Sequence, residues 1–335
     1  VAVDESLDLH ARRILRVARA ARYASGMQAL SDIGAPFRGV IPAIVSPFRE
    51  DGALCTTRLG DLARRMLAAG CTGTVWPGSL GEGQTLSFDE RVEGWKAIAA
   101  ASEGRGNAFA TISAASTREA VRQVEKVAEI GMRGCMILPP YVHKGPWREH
   151  RAHFEAMLSA APLPMMLYNN PAAYTVDVGA EQVFDLADRH ANLVAVKDST
   201  GDARKLTALV AGSRGRTRKV GALVGLDDCA VEGARMGCCG WIAGLANALP
   251  EESVRLFTLA RSTRAEEIDA CDALYAWFLP LLRLDTVPEF VQLIKLVMAE
   301  TQTGDERVRA PRKPVEGEAR AKALSAIRAA LAKRG

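Results

Sequence analysis

From Gly39 onward, short apolar runs alternate with longer segments in which apolar residues recur every three or four positions. Eight runs read as strands: Val40–Val45, Gly73–Trp76, Ala108–Ile112, Cys135–Leu138, Met165–Tyr168, Leu193–Val196, Val220–Val224 and Gly240–Ala243. Several are apolar throughout rather than at alternate positions, as strands buried on both faces of a parallel sheet are. The intervening segments Thr57–Ala69, Phe88–Ala101, Thr117–Ile130, Trp147–Ala160, Ala180–Ala187, Ala203–Ala211 and Ala230–Met236 carry the helical period. Repeated strand–helix units of this kind predict an α/β chain with a parallel sheet. Two helices open on a Ser-x-x-Glu box, Ser87 with Glu90 and Ser116 with Glu119, which satisfies the first free amides of a helix. Beyond Pro250 the strands stop. Glu251–Ala260, Ala265–Leu284, Pro288–Thr301 and Gly317–Ala332 read as helices, the last reached through the Pro-rich link Ala310–Pro314. The apolar string Leu274–Leu282 is read as helix core ahead of an interface.

Composition narrows the class. A chain of 335 residues, 48% hydrophobic, can bury one large barrel-type core with appended helices. The net charge of +4 is small for this length, and the signs interleave from Arg49 onward, so nucleic acid is not expected as a partner. No run of apolar residues is long enough to span a membrane. Cys55, Cys71, Cys135, Cys229, Cys238, Cys239 and Cys271 form no CxxC pair and read as buried free thiols of a reducing, cytoplasmic compartment. His150 and His153 lie at helical spacing and read as a solvated helix face, so no metal site is expected. Near the start, Arg12, Arg13, Arg16, Arg19 and Arg22 recur among Leu9, Ile14, Leu15 and Val17. That pattern would make a basic amphipathic helix, but Asp4, Glu5 and Asp8 argue against a transit peptide, and residues before Met27 are expected to be a non-catalytic extension.

The chemistry points to Lys197, which follows the apolar run Leu193–Val196 and precedes the turn Asp198–Gly201. A lysine held out of water becomes a neutral amine able to attack a carbonyl, whereas one at an ordinary strand end snorkels to solvent. Tyr168, a phenol able to pass protons, ends the preceding strand. Together GSLGE (Gly78–Glu82), YNNP (Tyr168–Pro171) and VKDSTGD (Val196–Asp202) resemble the motifs of the dihydrodipicolinate synthase and N-acetylneuraminate lyase family, in the same order. The resemblance implies a (β/α)8 TIM barrel over residues 37–250, a C-terminal helical subdomain over 251–335 and an Arg-rich extension over 1–36. It also implies class I chemistry, in which a lysine forms an imine with a 2-oxo acid without a further cofactor, in a homotetramer built as a dimer of dimers.

By the same resemblance, Lys197 forms the imine, Tyr168 moves protons, and Ser79 relays them to that tyrosine. The amides of Ser79 and Leu80 would hold the substrate carboxylate in a turn permitted by Gly78 and Gly81, with Leu226 and Ile242 completing the substrate-binding set. Three departures bear on the substrate. Dihydrodipicolinate synthases usually carry a threonine at Leu80, a tyrosine donated across the dimer at Val142 and a carboxylate-binding arginine at Ala173. Ala172–Asp177 is also poor in the polar residues a sugar-acid lyase would use. The GxLGE and YNNPxxY pattern resembles a subgroup of the family that includes 1-pyrroline-4-hydroxy-2-carboxylate deaminases, and the leading expectation which that resemblance implies is such a deaminase. The alternatives are a 2-keto-3-deoxy sugar acid dehydratase or aldolase, a 4-hydroxy-tetrahydrodipicolinate synthase, and, in a different class, a catalytically inactive binding barrel.

Overall fold

The computed structural model describes residues 33–140 and 142–334; most of the expected N-terminal extension lies outside the described residues. Eight strands occur: β1 (Gly39–Pro42), β2 (Gly73–Trp76), β3 (Asn107–Ile112), β4 (Gly134–Ile137), β5 (Met165–Asn169), β6 (Leu193–Asp198), β7 (Gly221–Val224) and β8 (Gly240–Ala243). All pair in parallel in the order β1-β8-β7-β6-β5-β4-β3-β2, and a parallel bridge between Ala43 and Val75 closes β1 onto β2. The sheet is thus a (β/α)8 barrel. Two strand ends differ from the sequence reading by more than one residue. β1 ends at Pro42, although the chain keeps strand-like bonding for two more residues, the Ala43 amide donating to Ala243 (2.9 Å) and the Ile44 amide to Val75 (3.0 Å), before the Val45 amide turns to the Asn247 side chain (3.1 Å). β6 runs on to Asp198, so Lys197 lies inside the strand and is register partner of Tyr168.

The outer helices are α1 (Thr56–Ala68), α2 (Phe88–Ser102), α3 (Thr117–Ile130), α4 (Trp147–Ala160), the short α5 (Pro171–Tyr174), α6 (Ala180–Arg189), α7 (Ala203–Arg214), α8 (Ala230–Met236) and α9 (Pro250–Ala260). Helix α9 follows β8 and packs on β1, on α8 and on the helix that comes next. Then come α10 (Ala265–Leu282), α11 (Phe290–Glu300) and α12 (Gly317–Leu331), with α12 packed on both. Leu274, Phe278, Leu281 and Leu282 are buried, as expected of helix core. Ser87 and Glu90 form the full capping box at the start of α2, and Ser116 accepts from the Glu119 amide at the start of α3. Helix α2 also fixes β2. A Cβ on Gly94 would stand 2.2 Å from the Trp76 ring, and the Trp95 indole donates to the Trp76 carbonyl (3.2 Å), so the strand end that leads into GSLGE is held from outside.

His150 and His153 are not on a solvated face. Both are buried, because α4 turns them inward, where His150 Nε2 meets the Gly145 carbonyl (3.0 Å) and His153 Nδ1 meets Thr117 Oγ1 (2.9 Å). Burial pushes the His153 pKa down to about 4, opposed by a hydrogen bond to the Leu138 backbone and helped by His150 and His143. A histidine whose folded pKa lies below its unfolded value of about 6.5 binds fewer protons folded than unfolded between the two, so stability rises with pH across that window. Acidification from pH 6.5 to 4 is expected to cost about 3 kcal/mol through this one group. Urea unfolding of the wild type and of His153→Gln at both pH values checks it: the variant should lose less on acidification.

Candidate active site

Lys197 and Tyr168 meet because the β5–β6 register sets them side by side: Lys197 Nζ lies 4.1 Å from the centre of the Tyr168 ring. Only 7% of Lys197 and 5% of Tyr168 are exposed, and Lys197 makes no ion pair among the described residues. The lysine stem is also held from β7. A Cβ on Gly225 would stand 2.8 Å from Lys197 Cε and 2.0 Å from Ser199 Oγ, so only glycine lets the chain pass there. The Tyr168 hydroxyl accepts from Asn170 Nδ2 (2.9 Å), while Asn170 Oδ1 accepts from the Ala173 amide (3.1 Å) and caps α5. One asparagine thus orients the phenol and starts the helix that follows.

GSLGE follows β2 at the same end of the barrel. Neither the Ser79 nor the Leu80 amide donates a hydrogen bond among the described residues, which leaves both available to an anion. Gly81 is required by close approach, since a Cβ there would stand 2.8 Å from the Ile44 carbonyl oxygen, whereas Gly78 has ordinary space around it. The left-handed residue of the turn is Glu82 (φ 52°), fully buried and accepting from Lys295 Nζ (2.7 Å) and the Arg309 amide (2.9 Å). Lys295 Nζ donates also to the Ser46 carbonyl (2.9 Å) and to that of Arg307. Burial lowers the Lys295 pKa, and the Glu82 carboxylate raises it. An amine with three acceptors around it is a clamp, not a nucleophile.

The remaining expected residues are placed unevenly. Ser79 Oγ does not bond Tyr168; it shares a 2.5 Å hydrogen bond with the hydroxyl of Tyr174, a residue to which the sequence reading gave no role. Helix α5 carries Tyr174 back over the site, and the Tyr168 and Tyr174 rings meet edge to face at 5.6 Å. Leu226 lies over the loop after β6, its Cδ1 3.4 Å from where a Gly201 Cβ would stand, and Ile242 is buried in β8 opposite Ile41. Val142 is 88% exposed with φ 57°, and Ala173 is exposed. Sequence reading also missed two acids. Asp285, between α10 and α11, and Asp227, after β7, crowd the bare backbone of Gly244, where a Cβ would stand 2.6 Å from Asp285 Oδ1 and 3.2 Å from Asp227 Oδ2. Burial pushes the Asp227 carboxyl up to about 6, against the pull of the Gly244 and Leu245 amides, the Trp241 indole and Lys197. Burial and then Asp227 push Asp285 well above the usual carboxylate range. With three N–H donors, Asp227 is the better placed of the two carboxyls to carry charge.

With that geometry in view, a profile of the Dihydrodipicolinate synthetase family matches residues 36–330. The chain belongs to this family. It is accordingly a class I, Schiff-base lyase-type enzyme on a TIM barrel. It is 35% identical over 174 residues to a 4-hydroxy-tetrahydrodipicolinate synthase of Thermosynechococcus vestitus, covering 52% of this chain and 58% of that enzyme, so the aligned stretch is under two thirds of the relative. It is 32% identical over 234 residues to the synthase of Psychrobacter arcticus, covering 69% and 76%. Among solved structures, the chloride-inhibited dihydrodipicolinate synthase of Acinetobacter baumannii complexed with pyruvate superposes with a TM-score of 0.81 at 27% identity, over 88% of this chain and 99% of that one. No helix among the described residues is long and apolar enough to cross a membrane.

Proposed function

We propose that this family member deaminates 1-pyrroline-4-hydroxy-2-carboxylate through an imine on Lys197. The observation that carries the reading is the pairing of Lys197 Nζ with the Tyr168 ring beside two unbonded amides, Ser79 and Leu80, with a small exposed residue at position 173. That set suits a substrate with one carboxylate and an electrophilic C2. A second carboxylate, as in aspartate semialdehyde, would want a guanidinium, and Ala173 offers none.

In this reading the Lys197 amine adds to C2 of the ring imine. Tyr168 gives its proton to the ring nitrogen as the C2–N bond breaks, which opens the ring and leaves the lysine imine. The phenolate so formed takes a proton from C3, and the C4 hydroxyl departs with a proton as water. Tautomerisation and hydrolysis at C5 release ammonia, and hydrolysis at C2 frees the lysine. The net reaction consumes one water and yields one ammonia and a 2,5-dioxo acid. The names of the relatives favour a second reading, condensation of pyruvate with aspartate semialdehyde. A homotetramer in a reducing cytoplasm belongs to the same proposal.

The test is a substrate comparison at equal enzyme concentration, assaying ammonia from hydroxypyrroline carboxylate, water loss from 3-deoxy-2-oxo acids and condensation with aspartate semialdehyde. Ammonia release is expected to be fastest. Faster condensation would overturn the proposal and imply that another cation holds the second carboxylate.

A further inference from the structure

Resting on the imine reading, we propose that Tyr174, paired with Ser79, is the acid that protonates the departing hydroxyl, so that two phenols of one chain divide the proton transfers. The two tyrosines are differently equipped. Tyr168 has Lys197 Nζ over its ring face and its hydroxyl accepts from Asn170, so its own proton is left to donate among the described residues. Tyr174 is 7% exposed, joined hydroxyl to hydroxyl with Ser79, and meets the Tyr168 ring edge to face. There is no hydrogen bond from Ser79 to Tyr168 among the described residues, so Ser79 serves the second phenol rather than the first.

The chain also explains why both sit where they do. Asn170 binds the Tyr168 hydroxyl with its amide nitrogen and caps α5 with its oxygen, and the single turn that this cap starts ends on Tyr174. Thr175 then takes the left-handed conformation (φ 62°) that ends the turn. One residue therefore sets the spacing of the two phenols. Because a base at C3 and an acid at the leaving group must act on the same substrate in opposite senses, two separate hydroxyl systems suit an elimination better than one shared relay. In the step itself the C3–H electron pair forms the C3–C4 double bond, the C4–O bond breaks, and Tyr174 gives its proton to the leaving oxygen. Ser79 returns a proton to Tyr174 and is itself reprotonated from solvent.

The experiment separates the two ends of the site. Exchange of the C3 protons of pyruvate with deuterated water needs Lys197 and Tyr168 but no leaving group. Tyr174→Phe, which keeps the ring packed, is expected to retain exchange within about threefold of wild type while losing 100-fold or more of ammonia release, in the range typical of a positioned acid. Ser79→Ala should fall in the same direction by less, and Tyr168→Phe should lose both reactions. A 4-chloro analogue of the substrate, whose chloride leaves without a proton, should restore elimination to Tyr174→Phe. Equal loss of exchange and elimination in Tyr174→Phe, or no rescue by chloride, would overturn the proposal and make Tyr174 a packing residue. Should Tyr174→Phe fail to fold, Ser79→Ala with the chloro analogue decides the same point. A wild type that neither exchanges pyruvate protons nor forms a borohydride adduct refutes the imine reading instead. One that exchanges but eliminates from no 4-hydroxy substrate refutes the leaving-group role alone.

Discussion

Replacing Lys197 by alanine is expected to lower turnover by about 10⁴-fold or more, equivalent to at least about 5 kcal/mol of barrier, and to abolish the borohydride-trapped adduct with pyruvate. The size follows from mechanism. On the proposed mechanism no covalent imine forms without the amine, and the C3 proton loses the electron sink that makes it acidic, so Tyr168 would have nothing useful to deprotonate. The fold should tolerate the change, since Lys197 contributes no ion pair to the core among the described residues and its stem merely fills the space left by Gly225. Lys197→Met, closer in volume, controls for the vacated space. Mass spectrometry of the trapped wild-type enzyme should place the added mass on the peptide containing Lys197 and leave the peptide containing Lys295 unlabelled. Label on Lys295, or an adduct surviving in Lys197→Ala, would mean that the wrong amine has been assigned.

The contrast between these two lysines shows what the sequence could and could not convey. Each interrupts an apolar run, Leu193–Val196 before Lys197 and Leu293–Met298 around Lys295, and each is nearly fully buried. Hydrophobic pattern reports burial, not partner. The partner of Lys295 is Glu82, far away in the chain, and only the closed barrel brings them together. The strands were legible because continuous apolar runs of four to six residues between helical periods admit few other arrangements. The start of α2 was legible because its cap is local, Ser87 with Glu90. Helix α5 was not, since a single turn carries no periodicity, and with it went the orientation of Tyr174, although that residue stands only six positions after Tyr168. Asp285 had no signal at all. It lies at the end of a helix in the C-terminal part, and what makes it part of the site is the bare Gly244 backbone and Asp227, both contributed by the far side of the barrel. His150 and His153 were misread for the complementary reason: histidine at helical spacing looks solvated until Thr117 and the Gly145 carbonyl come into contact with it.

Lys295→Met is expected to destabilise the protein by about 3–5 kcal/mol, the range for removing one partner of a buried ion pair and leaving the other charged. Glu82 is fully buried, its second oxygen already takes the Arg309 amide, and no other cation is paired with it among the described residues. The loss should reach the site, because Glu82 is the left-handed residue that ends the turn bearing Ser79 and Leu80. Lys295 also bonds the Ser46 carbonyl, and Ser46 Oγ donates to the Gly81 carbonyl, so one amine fastens the turn both at Glu82 and through the segment after β1. With the clamp gone, the two amides should hold the substrate carboxylate less well. KM for the 2-oxo acid is expected to rise more than kcat falls, since the binding lost is common to ground and transition states. Urea unfolding with steady-state kinetics checks both parts. Glu82→Gln combined with Lys295→Met removes the stranded charge and is expected to recover much of the lost stability, because a pair deleted whole costs far less than a pair broken. If Lys295→Met alone proves as stable as the wild type, the turn that carries Ser79 is fixed by Ser46 and Arg309 instead.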